Sequence, residues 1–360
     1  MVEPRLVDLL RELVEIESPT YTPGVRSLAL RVGEELERLG GDVTLLDGNH
    51  LCAELKGEAP RVLLSGHTDT VWPLGTLETM PFRLEQDRAY GPGAYDMKAG
   101  LVVMVEAVRR AGPARRALRV FLTGDEEMGS PTGRGPLEAA TEGVVAAFVV
   151  EPPGSTGNLK TSRKGLGRFT LRIRGRSAHA GTHRDEGVSA IHELAHQIHA
   201  LHALHDDPRG TSINVGVVRG GTSENVVAAE AEARVDVRVA RAADVERIER
   251  ALADLAPVDP QITLEWSGGW TRPPLERSDG AALLFAQARA YGRELGLDLA
   301  EESSGGGSDG NLVGAAGVPV LDGLGAQGGG AHAPDEHVHL PSIPVRAELL
   351  ARLLRNPGLT

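Results

Sequence analysis

The chain has 360 residues, 41% of them hydrophobic and 24% charged, with a formal net charge of −12. That length suits two domains or one large domain with an insertion, and the even mixture of apolar and charged residues excludes a disordered or fibrous chain. The acidic balance without a Lys/Arg run argues against a nucleic-acid partner, and no apolar run approaches the ~18 residues of a membrane helix. One cysteine, Cys52, leaves no internal disulfide, and MVEPRLVDLLRELVEIESPT scatters acids where a signal peptide is apolar, so the cytoplasm is the expected compartment.

Residues 5–16 and 24–39 repeat apolar positions every three or four residues, which predicts two amphipathic helices. Short apolar runs then appear at 61–65, 118–122 and 146–150, with a helical stretch at 97–111, the alternation of an α/β layer. Each run ends in metal-ligand chemistry: RVLLSGHTD, LRVFLTGDEE and AAFVVEPP place His or carboxylates past a strand's carboxyl end, where open α/β sheets form crevices. From about 166 the strands alternate (GRFTLRIRG, SINVGVV, AEARVDVRV) around helical stretches near 188–205 and 243–255, which predicts a separate antiparallel α+β unit. A helix at 279–295, a Gly-rich loop, VPVLDGL and GGGAHAPDEH follow, so the first layer is expected to resume after an insertion. The expected boundaries are 1–165 with 274–360 for a catalytic domain and 166–273 for the insertion.

Asp69, Asp96, Glu126, Glu127 and Glu151 would converge if the three strands are neighbours, and five carboxylates cannot all ionise together without a cation. His with carboxylates and no thiolate suits zinc or a similar divalent ion, and surplus carboxylates allow one to bridge two ions. Each residue alone has an ordinary reading. His67 and Asp69 fit a turn, Asp96 fits a helix N-cap, and Glu126 with Glu127 fits a solvated pair.

GHTDTV, GPGAYDMKAG, TGDEEMGS, VVEPP, RSAHAG, GGGSDGN and GGGAHAPDEHV together resemble, in order, the motifs of the two-zinc family of carboxypeptidase G-type glutamate carboxypeptidases, acetylornithine deacetylase and succinyl-diaminopimelate desuccinylase. HTDTVWPLGTL, SDGN and LDGLG look nearest to the glutamate carboxypeptidase branch. The resemblance spans nearly the whole chain; Ala99 stands where the familiar DMKGG pattern has Gly.

It implies a zinc-exopeptidase-like α/β catalytic domain with a mixed central sheet, and an inserted α+β lid and dimerisation domain with an antiparallel sheet. It makes Asp96 the ligand shared by two ions, zinc with cobalt or manganese as alternatives, with His67 and Glu151 on one and Glu127 and His332 on the other. Asp69 orients His67, and Glu126 is the general base. From the insertion, His179 stabilises the oxyanion, in the site of a partner chain of a homodimer, while Asn225, Arg238 and Arg272 contact substrate. Gly306, in the loop GGGSDG, offers backbone N–H to a substrate carboxylate. The peptide bond after Asp96 is expected to be cis. The implied reaction is hydrolysis of an amide beside a free carboxylate, releasing a C-terminal amino acid such as glutamate from a small peptide or N-acyl amide. Deacylation of an N-acyl amino acid is the alternative, and the acyl group stays open.

Two other readings compete. His192-Glu193-Leu194-Ala195-His196 spells HExxH, the helical motif in which two His bind zinc and Glu is the base of a metalloprotease. It lies in a stretch whose histidines continue at His199, His202 and His205, without the HxxGxxH extension. A binding protein that kept the fold without catalysis is the last alternative; loss of Glu126 or a ligand would mark it, and all are present.

Overall fold

A computed structural model describes residues 2–154 and 156–359, which fall into two compact units. The first comprises Met1–Ser162, Arg277–Ser304 and Ser308–Thr360, and the second Arg163–Glu276 with Gly305–Gly307.

The first unit is built on a six-stranded mixed sheet in the order Gly41–Leu45, Leu51–Leu55, Arg116–Thr123, Glu58–His67, Val144–Val149, Val320–Leu321. The first two strands run antiparallel to their neighbours and the remaining pairs are parallel. Val62, Leu63, Leu64, Leu118, Val120, Leu122, Ala146, Ala147 and Phe148 are buried, so the central strands read as continuous apolar runs covered on both faces. Helices Pro4–Glu15 and Pro23–Arg38 fall where the periodicity predicts them, each opening on a proline whose missing N–H costs nothing in the first turn. Helix Ala99–Ala111 is almost wholly buried, and the C-terminal helix Ser342–Arg355 buries Leu349, Leu350, Leu353 and Leu354 in the same core.

The stretch expected to be helical from 97 begins two residues later. Before it, Ala94–Lys98 form one wide turn in which Asp96 and Met97 are non-helical and the Asp96–Met97 peptide bond is cis, as expected. Lys98 occupies the N-cap position and no side chain caps the helix, so Asp96 is not its cap.

The second unit has a four-stranded antiparallel sheet in the order Ser212–Gly220, Glu230–Val239, Gly165–Arg174, Thr263–Arg272. Helices Ala190–His202 and Ala242–Ala253 contribute Leu194, Leu201, Ile248 and Leu252 to its buried clusters. The strand Thr263–Arg272 lacks an apolar alternation because of Gly268-Gly269: Gly268 has φ +99°, and a Cβ there would lie 2.2 Å from the Arg168 carbonyl oxygen. The pairing register also slips between Trp270 and Arg272. The α/β class, with a mixed sheet and a separate antiparallel sheet, is as read from the sequence.

Candidate metal centre

Strand Glu58–His67 lies between Arg116–Thr123 and Val144–Val149, all three parallel, with His67 opposite Thr123 and Ser65 opposite Val149. The segments leaving their carboxyl ends therefore emerge together, bringing His67 and Asp69, Glu126 and Glu127, and Glu151 to one rim. The wide turn adds Asp96, and the Gly-rich loop after Gly328–Gly329 adds His332, whose φ of 61° lies in the left-handed region.

Two triads result, His67–Asp96–Glu151 and Asp96–Glu127–His332. His67 Nε2 lies 3.4 Å from Asp96 Oδ1 and 3.6 Å from Glu151 Oε1. His332 Nε2 lies 3.4 Å from Asp96 Oδ2 and 3.5 Å from Glu127 Oε1. A charge-assisted N–H···O bond is shorter, about 2.7–2.9 Å. Two ligands each about 2.1 Å from one zinc at a tetrahedral angle stand ~3.4 Å apart, which is the spacing found here. Asp96 Oδ1 and Glu127 Oε1 are buried without a hydrogen-bond partner among the described residues, as expected of atoms reserved for a cation. The donor set therefore fits a pair of divalent ions that share Asp96.

The charge balance points the same way. Burial opposes a charge on His67, yet Asp69, Asp96 and Glu151 outweigh it and push its pKa well above the usual imidazole range. Asp96 and Glu127 raise that of His332 to about 10. Burial pushes the Asp96 carboxyl up, but His332 and His67 pull it well below its ordinary value. The carboxylates thus demand positive charge at both imidazole positions.

Asp69 is buried. Its Oδ1 accepts the Glu126 N–H at 3.1 Å, and its Oδ2 accepts the Glu127 N–H at 3.1 Å and the Thr20 hydroxyl at 2.8 Å. One carboxylate thereby fixes the turn bearing both glutamates. His67 Nδ1 lies 2.9 Å from the Asp69 carbonyl oxygen, which can only accept, so Nδ1 carries a proton and Nε2, facing Asp96 and Glu151, is the nitrogen left to meet a cation. The orienting group is Asp69's main chain first, with its carboxylate at 3.4 Å.

Two supporting residues carry no sequence signal of their own. Glu336, inside GGGAHAPDEHV, is fully buried and accepts from Trp72 Nε1 at 2.7 Å, the Gly93 and Tyr95 N–H groups at 2.9 Å and the Asp96 N–H at 3.0 Å. Lys98 is buried and donates to the Ile16 carbonyl at 3.0 Å and to those of Val14 and Pro92; burial pulls its ammonium down to about 7. Together they clamp the turn that presents Asp96.

The other candidates belong to the second unit. His179 is exposed, and its Nδ1 accepts the N–H groups of Gly181 and Thr182 at 3.1 and 3.2 Å, which leaves Nε2–H as an outward donor. Asn225 stands beside it, its carbonyl accepting the Ala180 N–H at 2.9 Å, with its side-chain oxygen accepting the Ser223 hydroxyl. Arg238 donates to Asp236 at 2.9 Å and to the Gly305 carbonyl at 2.7 Å; the Gly306 carbonyl accepts from Arg163 at 3.2 Å. Arg272 is buried, its stem beside Gly307. The structure thus gathers Arg238, Arg272 and Gly306 around one loop and pairs His179 with Asn225.

The HExxH reading fails. Glu193 is buried, accepting from Gln197 Nε2 at 2.7 Å and the Val258 N–H at 3.1 Å, whereas His192 and His196 are exposed. The motif's glutamate faces the interior and cannot act as base for anything held by its histidines.

Residues 63–356 match the profile of Peptidase family M20/M25/M40. The chain is 31% identical to carboxypeptidase G2 of Pseudomonas sp. (strain RS-16), over 99% of this chain and 90% of that protein. It is 29% identical to succinyl-diaminopimelate desuccinylase of Thioalkalivibrio sulfidiphilus, over 97% of this chain and 98% of that protein. Among solved structures, aminopeptidase PepT from Bacillus cereus has the same fold, with a TM-score of 0.81 at 22% identity over 99% of this chain and 100% of that one. The M20 family metallo-carboxypeptidase Sso-CP2 from Sulfolobus solfataricus gives a TM-score of 0.79 at 17% identity, covering 99% of both chains. The chain belongs to Peptidase family M20/M25/M40 and is a metal-dependent hydrolase of that family.

Proposed function

We propose that this hydrolase holds two divalent ions, zinc in the first instance, through His67 and Glu151 on one side, Glu127 and His332 on the other, and Asp96 between them. The observation that carries the reading is that the two oxygens of Asp96 face the Nε2 atoms of two different histidines, each at 3.4 Å. When bound, the ions supply Lewis acidity that makes water nucleophilic at neutral pH and polarises an amide carbonyl.

Glu126 then accepts the proton of the attacking water and delivers it to the departing amine nitrogen, a role supported by its place on the turn that Asp69 holds. Nε2–H of His179 donates to the oxyanion as charge develops there. Arg238 and Arg272 take the substrate's free carboxylate, with Asn225 and the backbone around Gly306 completing its contacts. Residues 166–273 form the lid and dimerisation domain on this reading, and His179 serves the partner chain's site.

The substrate is a small peptide or N-acyl amide from which a C-terminal amino acid such as glutamate is released, which the 31% identity to a protein named carboxypeptidase G2 favours. Removal of an acyl group from an amino acid is the second reading, favoured by the 29% identity to a desuccinylase. The cytoplasm is the proposed compartment, since a lone cysteine gives no disulfide framework. A panel of N-acyl glutamates, dipeptides, succinyl-diaminopimelate and acetylornithine, assayed with zinc or cobalt alongside elemental analysis, separates the two readings. Active protein with no divalent ion and no response to chelators would remove both.

A further inference from the structure

The helix Ala190–His202 carries the HExxH letters without the HExxH chemistry, and what remains is an exposed pair of imidazoles with a rigid base. Ser189 caps the helix, its hydroxyl accepting the His192 N–H at 3.2 Å. Glu193 ties the same turn to the loop at Val258 and Asp259. Leu194 and Leu201 are buried, which fixes the rotation of the helix and leaves His192, His196 and His199 on its exposed side.

The rings of His192 and His196 have centroids 4.7 Å apart and are inclined at 81°. An imidazole nitrogen binds zinc at about 2.1 Å and lies ~1.1 Å from its ring centroid, so two imidazoles on one ion have centroids roughly 4.5 Å apart at a right angle and roughly 5.2 Å apart at the tetrahedral angle. The observed separation falls between these values. The centroid separation is therefore in the range of two rings that share one ion, and both rings rise from the same exposed side of one helix.

We propose that His192 and His196 form a second metal site, outside the Asp96 centre, for one borderline divalent ion of the zinc, nickel or copper type. Imidazole without carboxylate selects this class over magnesium or calcium, and two ligands leave the remaining positions to water. His199 follows His196 by three residues and lies too far along the helix to join the ion shared by the other two. The buried Glu193 takes no part in binding; it sets the phase of the helix that presents the pair. The site does not depend on the reading of the Asp96 centre, because it shares no residue with it.

The test uses the untagged full chain, loaded with zinc, in equilibrium dialysis at pH 8 against micromolar free zinc. Wild type is expected to hold one more zinc ion per chain than the His192→Ala/His196→Ala double variant, and to be retained on immobilised nickel where the variant is not. Each single variant should weaken this extra ion at least ~10-fold, since losing one of two linked ligands removes the chelate advantage. His199→Ala should leave it unchanged, and hydrolysis should be unaffected throughout, as none of these residues is assigned to the Asp96 centre. Equal zinc content in wild type and double variant overturns the proposal, as does an extra ion lost with His199→Ala but kept in either single variant.

Discussion

Replacing Glu336 by Gln changes one oxygen to NH2 and should damage the metal centre without touching a ligand. The carboxylate accepts four N–H groups, two on each oxygen: Trp72 and Gly93 on one, Tyr95 and Asp96 on the other. A glutamine keeps one oxygen and turns its NH2 toward the other two donors, so two bonds are lost and two buried donors are left unpaired. Hydrogen bonds to charged groups contribute ~1.5–3 kcal/mol each and an orphaned buried donor costs ~1–3 kcal/mol. Against this, burial pushes the Glu336 carboxyl above its usual range, so ionising it consumes part of what the bonds return. A net loss of about 2–4 kcal/mol follows. Because two of the donors are the N–H groups of Tyr95 and Asp96, the loosened segment is the one carrying Asp96, the proposed shared ligand, and zinc affinity should fall ~10–100-fold, as when other supporting partners of metal ligands are removed. Urea denaturation followed by circular dichroism measures the first effect, and competition with a chromophoric chelator measures the second. Unchanged stability together with unchanged zinc affinity in Glu336→Gln would refute the reasoning.

Glu126→Gln should retain both ions and the wild-type urea midpoint while turnover falls at least ~100-fold, the scale of a lost general base; near-normal turnover would place the base elsewhere. His179→Ala and Glu126→Ala chains, each inactive alone, should recover activity on subunit exchange if His179 acts across a dimer; no recovery despite proven exchange would reject that arrangement. Glu106 offers a pH test away from the centre. Burial pushes its carboxyl up, but Arg109, Arg110 and Arg5 outweigh this and hold it at about 2. Its contribution is therefore complete above the ordinary carboxyl value and is lost as pH falls through the folded-state value, over roughly pH 5 to 2. Half-exposed arginine partners reduce it to on the order of 2 kcal/mol. The urea midpoint of Glu106→Gln should accordingly fall less steeply than wild type across that window.

The legible features are those whose signal is local. Apolar spacing marks helices Pro4–Glu15 and Pro23–Arg38 and the parallel strands, and the five residues that the motifs single out stand in two triads because each follows a strand end, a turn or a Gly loop. The hidden features depend on partners distant in the chain. Nothing near Glu336 announces that it will receive the N–H groups of Gly93, Tyr95 and Asp96, since backbone donors leave no mark in the sequence. The strand Thr263–Arg272 is obscured by its own glycines, and the histidines of HExxH suggest a protease until burial shows that Glu193 faces inward. Letter patterns record side-chain chemistry; they do not record which face of an element is turned to the core.

The separation of the proposed ligands along the chain also has an energetic consequence. His67, Glu127 and Glu151 follow three neighbouring strands, Asp96 sits in a turn clamped by Glu336 and Lys98, and His332 lies in a loop beyond the second unit's sequence. An unfolded chain cannot present these side chains to one ion pair, so on the proposed reading ions would bind the native first unit and stabilise it by mass action. Without them the same unit keeps a surplus of carboxylates at the strand ends, which the raised pKa values of His67 and His332 offset only by taking up protons. Removing metal should therefore lower the stability of the first unit, whose strand ends carry the charge, while the second unit, which contains none of the five residues, lacks that dependence.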